Sequence, residues 1–148
     1  MTSDLEELYR EVILDHNKRP RNFRRLDGGR KADGYNPLCG DKLTVYVRVD
    51  NDRIGEATFE GSGCAISKAS ASLMTDSVKG KTLAETGALF ERFHRMVTAP
   101  VGAPVEDLGK LSVFAGVRQF PARIKCAMLA WYALRAAAEA REAVVSTE

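Results

Sequence analysis

Four residues of this 148-residue chain have types suited to metal or sulfur chemistry: Cys39, Asp41, Cys64 and Cys126. Cys39 stands in Asn36-Pro37-Leu38-Cys39-Gly40-Asp41, a turn-like stretch rather than the apolar run that usually surrounds a buried structural thiol. Cys64 follows Gly61-Ser62-Gly63, and Cys126 follows Arg123-Ile124-Lys125. Three widely spaced cysteines argue against a disulfide framework. Inert core thiols, a reactive thiol or metal ligands remain. Three thiolates and a carboxylate would make a four-ligand site, because zinc accepts tetrahedral sulfur and oxygen donors and iron–sulfur clusters prefer thiolates. There is no CxxC pair, so spacing alone does not assign a metal.

The elements that must position these residues begin with a hairpin. Leu43, Val45, Val47 and Val49 alternate with Thr44, Tyr46 and Arg48, which predicts a strand. Asp50–Arg53 supplies a turn, and Ile54–Glu60 a return strand. Pairing Val49 with Ile54 sets Val47 against Glu56, Val45 against Thr58 and Leu43 against Glu60. Extending that register puts Asp41 opposite Ser62 and Cys39 opposite Cys64, roughly 5 Å apart. Cys39, Asp41 and Cys64 thus emerge at one end of one hairpin. Cys64 also precedes a helix predicted for Ile66–Lys79, whose N-terminal field favours a thiolate. Cys126 falls early in a last helix that starts at Pro121, beside Arg123 and Lys125, and runs to about Glu142. Its approach to the other cysteines depends on tertiary packing.

A first helix is expected from a Ser3–Glu6 capping box, with Leu5, Leu8, Tyr9, Val12 and Ile13 on its apolar face. Pro20 ends it. From Lys18 to Lys31 the chain is basic, which reads either as a solvated loop or as a docking patch for an acidic partner. Lys31–Tyr35 is a candidate strand. Thr82 and Glu85 form a second capping box, opening a helix to about Val97. Thr98–Asp107 reads as a loop and Leu108–Ala115 as a short helix. Tyr9, Phe59 and Trp131 are most simply core.

The length fits one domain over 1–148, and a net charge of +2 gives no argument for nucleic acid. No apolar run is long enough for a membrane span. The N-terminal residues lack the order of a signal peptide, so a cytoplasmic protein is expected. The two histidines, His16 and His94, sit on predicted helices away from the cysteine motifs. A cysteine hydrolase, which wants a partnered histidine, is disfavoured. They read as surface or interhelical residues.

The segments NPLCGD, GSGCAIS and RIKCAMLAW resemble, in order and separation, the three cysteine motifs of the U-type iron–sulfur assembly proteins. The resemblance covers nearly the whole chain. It implies an α+β fold: a small, mostly antiparallel three-stranded sheet with about five helices packed against it. It implies that Cys39, Cys64 and Cys126 are ligands and that Asp41 completes the site. It further implies a cysteine desulfurase as partner, with Cys39 accepting sulfane sulfur while zinc is bound. A histidine of the desulfurase would take the vacated zinc position. The alternative is a scaffold on which the same residues hold a transient [2Fe–2S] cluster for downstream acceptor proteins. A purely structural zinc domain is a minor alternative, since only Cys39 and Asp41 are close in sequence. Arg123 and Lys125 would balance the anionic site or meet the incoming persulfide. The IscU branch carries a histidine where this chain has Lys125, and a chaperone-read Leu-Pro-Pro-Val-Lys where this chain has QFPARIK. With an apparent insertion from about Met96 to Val117, the sequence is more similar to the SufU branch.

Overall fold

A computed structural model describes the backbone of residues 2–139 and 144–146 and the side chains of residues 7–139. Helix α1 spans Thr2–Lys18 and is followed by strands β1 (Arg30–Asn36), β2 (Asp41–Asp50) and β3 (Arg53–Ser62). Helices α2 (Ala65–Val78) and α3 (Leu83–Thr98), a run of 3-10 turns over Gly109–Gln119 and α4 (Pro121–Ala138) complete the helical set. The three antiparallel strands and five helical elements match the expected α+β architecture. A short β4 (Val144–Ser146) adds a parallel strand beside β1, giving the order β3-β2-β1-β4. Helix α4 lies across β1 and β2 and also packs on α2. No helix among the described residues is long and apolar enough to cross a membrane.

The hairpin register differs from the expected one. Val49 does pair with Ile54, but the ladder then slips by one residue, with Gly55 as the extra residue. Beyond it Arg48 pairs with Glu56, Val47 with Ala57, Val45 with Phe59 and Leu43 with Gly61. The physical reason is burial. In the unslipped register Glu56 and Glu60 would share the face of Leu43, Val45 and Val47, all of which are buried. A one-residue slip exchanges the two faces of a strand. After it, Ala57 and Phe59 enter the core fully buried, while Glu56 stays outside with Arg24 and Arg48. Lys42, not Asp41, now faces Ser62, and Cys39 no longer stands opposite Cys64 in the extended ladder. Gly61 is needed for this end of the hairpin. Its φ is +136°, and a Cβ there would lie 2.1 Å from the Lys42 carbonyl oxygen.

Trp131 of α4 anchors the core behind the sheet. Its ring stacks on Phe93 at 4.5 Å, and its indole N–H donates to Ser70 Oγ at 3.2 Å. Ser70 in turn donates to the Ala127 carbonyl at 2.6 Å, locking α2 to α4. This explains the small residues of α2, since Ala69, Ser70, Ala71 and Ser72 are all buried. Arg118 closes the loop before α4, donating to the carbonyls of Met96 and Ala103. The helical turns there run to Gln119, further than the short helix expected for Leu108–Ala115.

The α1 contact face carries Tyr9, Val12, Ile13 and His16. Leu8 was expected on that face but is 48% exposed, because it lies about 100° round the helix from Tyr9. The Ser3–Glu6 capping box and Leu5 lie outside the described side chains. The second box, between Thr82 and Glu85, is complete. His16 is an interhelical residue: it is buried, with Nδ1 at 2.7 Å from Ser72 Oγ. Four of the seven basic side chains in Lys18–Lys31 are occupied within the chain. Arg21 pairs with Asp15, Arg24 with Glu56 and Arg25 with Asp27, while Arg30 donates to the Ala138 carbonyl. These contacts favour a folded, solvated loop over a free docking patch. Residues 22–24 also cover the outer edge of β3 through backbone bonds at Phe59.

Two expectations follow from this packing. Gly61→Ala should cost about 2–4 kcal/mol in a urea melt, from positive φ and the carbonyl clash together. The exposed mid-helix change Gly87→Ala, with nothing within 4 Å of the added methyl, should instead gain about 0.5–1 kcal/mol. Equal stabilities for the two variants would refute the account of the hairpin end. Burial also holds His16 below its ordinary pKa, so the unfolded chain binds its proton first. Stability from this group is complete above about pH 6.5 and is lost as the pH falls toward the folded-state value. Melts from pH 7 to 5 should therefore show a steeper loss in the wild type than in His16→Gln, and parallel curves would count against it.

Candidate metal centre

The centre forms where four elements end together. Cys39 lies on the turn between β1 and β2, and Asp41 is the first residue of β2. Cys64 is the N-cap of α2, and Cys126 sits in the second turn of α4. Sγ of Cys39, Sγ of Cys126 and a carboxylate oxygen of Asp41 all lie within 4.8 Å of one another. The Cys39 and Cys126 sulfurs are 3.2 Å apart. Cys64 Sγ lies 3.8 Å from Asp41 Oδ2, beside this group of three rather than within it. Thus α4 brings Cys126 to the hairpin end, the step that sequence alone left open.

Asp41 is fully buried, and its Oδ1 accepts the Cys64 backbone N–H at 2.7 Å. Gly63 permits this approach, since a Cβ there would meet Asp41 Oδ1 at 2.8 Å. Cys64 Sγ accepts the Ser67 N–H at 3.4 Å, as an N-cap side chain does. Its pKa is lowered to about 6, chiefly by the hydrogen bond with Cys126 and less by the Ser67 N–H, against burial. The Cys126 thiol is pushed the other way, by the same contact with Cys64 and then by burial. A single ionised sulfur in this corner makes the next proton hard to remove. A divalent cation relieves that conflict by replacing protons between the sulfurs.

Arg123 Nη1 reaches both Cys39 Sγ at 3.7 Å and Cys126 Sγ at 3.9 Å. Lys125, grouped with it on sequence grounds, makes no hydrogen bond or ion pair with the described residues. It stands two residues after Arg123, about 200° round α4, and Arg123 is the cation facing the sulfurs. His16 and His94 are absent from the cluster, His94 stacking on Phe90 instead. Sequence reasoning missed Asn36. It is buried, and its Nδ2 lies 3.5 Å from both Asp41 Oδ2 and Cys126 Sγ. The available signal was an asparagine opening the Cys39 turn, which reads as ordinary turn chemistry.

The donor set suits a tetrahedral ion. Metal–sulfur bonds of ~2.3 Å separate neighbouring sulfur ligands by roughly 3.7 Å, and the 3.2 Å between the Cys39 and Cys126 sulfurs lies a little inside that spacing. Three sulfurs and one oxygen match zinc, and thiolates also match iron–sulfur clusters.

Comparison with known proteins agrees with this geometry. Residues 8–127 match the family described as the NifU-like N terminal domain. The chain is 44% identical over 135 residues to the iron–sulfur cluster assembly scaffold protein IscU of Streptococcus pyogenes, covering 91% of this chain and 85% of that one. It is 43% identical over 132 residues to the zinc-dependent sulfurtransferase SufU of Bacillus subtilis, covering 89% and 90%. The two identities are too close to choose between the branches. A crystal structure from Fervidobacterium islandicum, named as a candidate iron–sulfur assembly scaffold for the SUF system, superimposes with a TM-score of 0.80 at 32% identity, over 89% of this chain and 97% of that one. With three cysteine motifs in order, a shared fold and a family match over most of its length, the chain belongs to the NifU-like N-terminal domain family.

Proposed function

We propose that this protein accepts sulfane sulfur on Cys39 from a cysteine desulfurase and feeds it into iron–sulfur cluster assembly in the cytoplasm. The observation that carries this reading is the convergence of Cys39, Asp41, Cys64 and Cys126, with Cys39 on a protruding turn. Its neighbour Leu38 is 65% exposed, whereas Asp41 and Cys126 are buried. The relative named as a zinc-dependent sulfurtransferase supports the same chemistry.

Zinc held by Cys39, Asp41, Cys64 and Cys126 would keep the thiols ionised at neutral pH. In the transfer, the Cys39 thiolate attacks the outer sulfur of the donor's cysteine persulfide. A sulfur–sulfur bond forms on Cys39, the donor's own sulfur–sulfur bond breaks, and the donor cysteine leaves as a thiolate. One neutral sulfur atom moves between two thiolates, so no outside oxidant or reductant is needed. Arg123 faces Cys39 and offsets its charge before and after transfer.

A second reading is assembly of a transient [2Fe–2S] cluster on the same four residues. The relative named as a scaffold and the carboxylate corner at Asp41 favour it. A purely structural zinc site is the weakest reading, because Trp131, Phe93, Phe59 and Phe114 build a core independent of the centre.

Anaerobic purification, metal analysis and then addition of desulfurase and cysteine test these readings. Zinc-loaded protein should stimulate desulfurase turnover and carry a persulfide on Cys39. No stimulation, with cluster formation once iron is supplied, would reject sulfur acceptance in favour of the scaffold. Chelation should abolish transfer while the far-UV spectrum stays folded. Asp41→Ala should weaken metal binding by about 100-fold and abolish sulfur acceptance. Asp41→Asn keeps an acceptor for the Cys64 N–H and should fold normally yet still lose metal. Full metal content and full acceptance in both variants would remove Asp41 from the ligand set.

A further inference from the structure

We propose that Asn36 is a positioning residue that fixes Cys126 and Asp41 as the retained ligands of the centre and thereby makes Cys39 the thiolate that leaves. The sulfur-accepting half of this statement rests on the function proposed above; the ligand-holding half does not.

Asn36 is fully buried, although it opens the exposed turn that carries Cys39. Its carboxamide is used at both ends. Nδ2 donates to Asp41 Oδ2 and to Cys126 Sγ, each at 3.5 Å. An amide carries two N–H donors, so both contacts can be made at once. Oδ1 accepts the Leu38 N–H at 3.3 Å, and the Asn36 main-chain carbonyl accepts the Cys39 N–H at 3.3 Å. One residue therefore grips the root of the Cys39 turn and two buried ligands together.

The neutral donors are distributed unevenly over the three thiols. Cys126 receives Asn36 Nδ2, and Cys64 receives the Ser67 N–H. Among the described residues and apart from its sulfur neighbour Cys126, Cys39 receives only Arg123, an exposed side chain that water can replace. A hydrogen bond to a ligating sulfur fixes its direction and draws charge from it. Withdrawing Cys126 or Asp41 would strand a buried amide donor. Withdrawing Cys39 strands none, and the turn stays anchored through Asn36.

The test compares wild type, Asn36→Leu and Asn36→Gln, each loaded with zinc or cobalt(II). Affinity is read by competition with a chromophoric chelator, and N–H donation to sulfur by the sulfur-to-cobalt charge-transfer band. Asn36→Leu should bind zinc about 10–100-fold more weakly and move the band to lower energy, with Asn36→Gln partly restoring both. After exposure to desulfurase and cysteine, or to inorganic polysulfide, peptide mapping should find sulfur on Cys39 alone in the wild type and on both Cys39 and Cys126 in Asn36→Leu. Affinity within about two-fold and an unmoved band would overturn the proposal. Should Asn36→Leu fail to fold, Asn36→Asp keeps the turn acceptor, lacks the N–H donors and is expected to give the same affinity and band changes. A wild type that takes no sulfur from either donor, together with altered affinity and band in the variants, would reject the sulfur reading while sustaining the ligand-holding role.

Discussion

The structure turns on a buried carboxylate. Asp41 has lost all contact with solvent at the start of β2, so its charge must be met by donors within the protein or by a cation. The Cys64 N–H meets one oxygen and the Asn36 amide the other. Both donors come from chain ends that would otherwise be free to separate: the close of β1 and the entry to α2. Satisfying one acid therefore clamps three elements to one point. It also places Cys64 where the first turn of α2 can stabilise its thiolate. The remaining negative potential suits the corner to a cation.

Behind this corner the protein supplies stiffness. The Ser70–Ala127 contact and the Trp131 indole hold α2 and α4 at one separation, so Cys64 and Cys126 approach each other as parts of rigid helices. The Phe93 and Phe114 rings fill the space behind Trp131. Cys39 has no such backing. One candidate ligand on a helix, one capping a helix, one at a strand start and one on a turn give a corner that is stiff on three sides and yielding on the fourth. A sulfur acceptor needs that division, because the reacting thiolate must move while the others stay.

Much of this was legible in the sequence. Alternating valines marked β2, the Thr82–Glu85 box marked α3, and Pro121 marked the start of α4. The four candidate residues stood out by type and by turn and helix-start positions, and the resemblance of their motifs joined them into one ligand set. The hairpin register did not, because a glycine bulge cannot be told from an ordinary strand glycine until the burial of Glu56 and Glu60 is weighed against that of Ala57 and Phe59. Tertiary contacts were illegible for a different reason. That Arg123 faces Cys126 follows from their i,i+3 spacing on α4, but its reach to Cys39 spans 84 positions and needs the packing of α4 on the sheet. Asn36 was hidden because its turn-forming use is local and common, while its contact with Cys126 spans 90 positions.

The bulge at Gly55 acts as a phase changer. Before it, paired residues of β3 and β2 have numbers of opposite parity, and after it numbers of equal parity. Losing Gly55 itself would close the bulge and leave every other pair of the hairpin in place. Losing one residue between Glu56 and Gly63 would instead exchange the faces of all that follows and swing the backbone N–H of Cys64 away from Asp41. The count of residues from Glu56 to Cys64 is therefore a quantised quantity, and in that stretch inheritance should tolerate altered side chains far more readily than altered length.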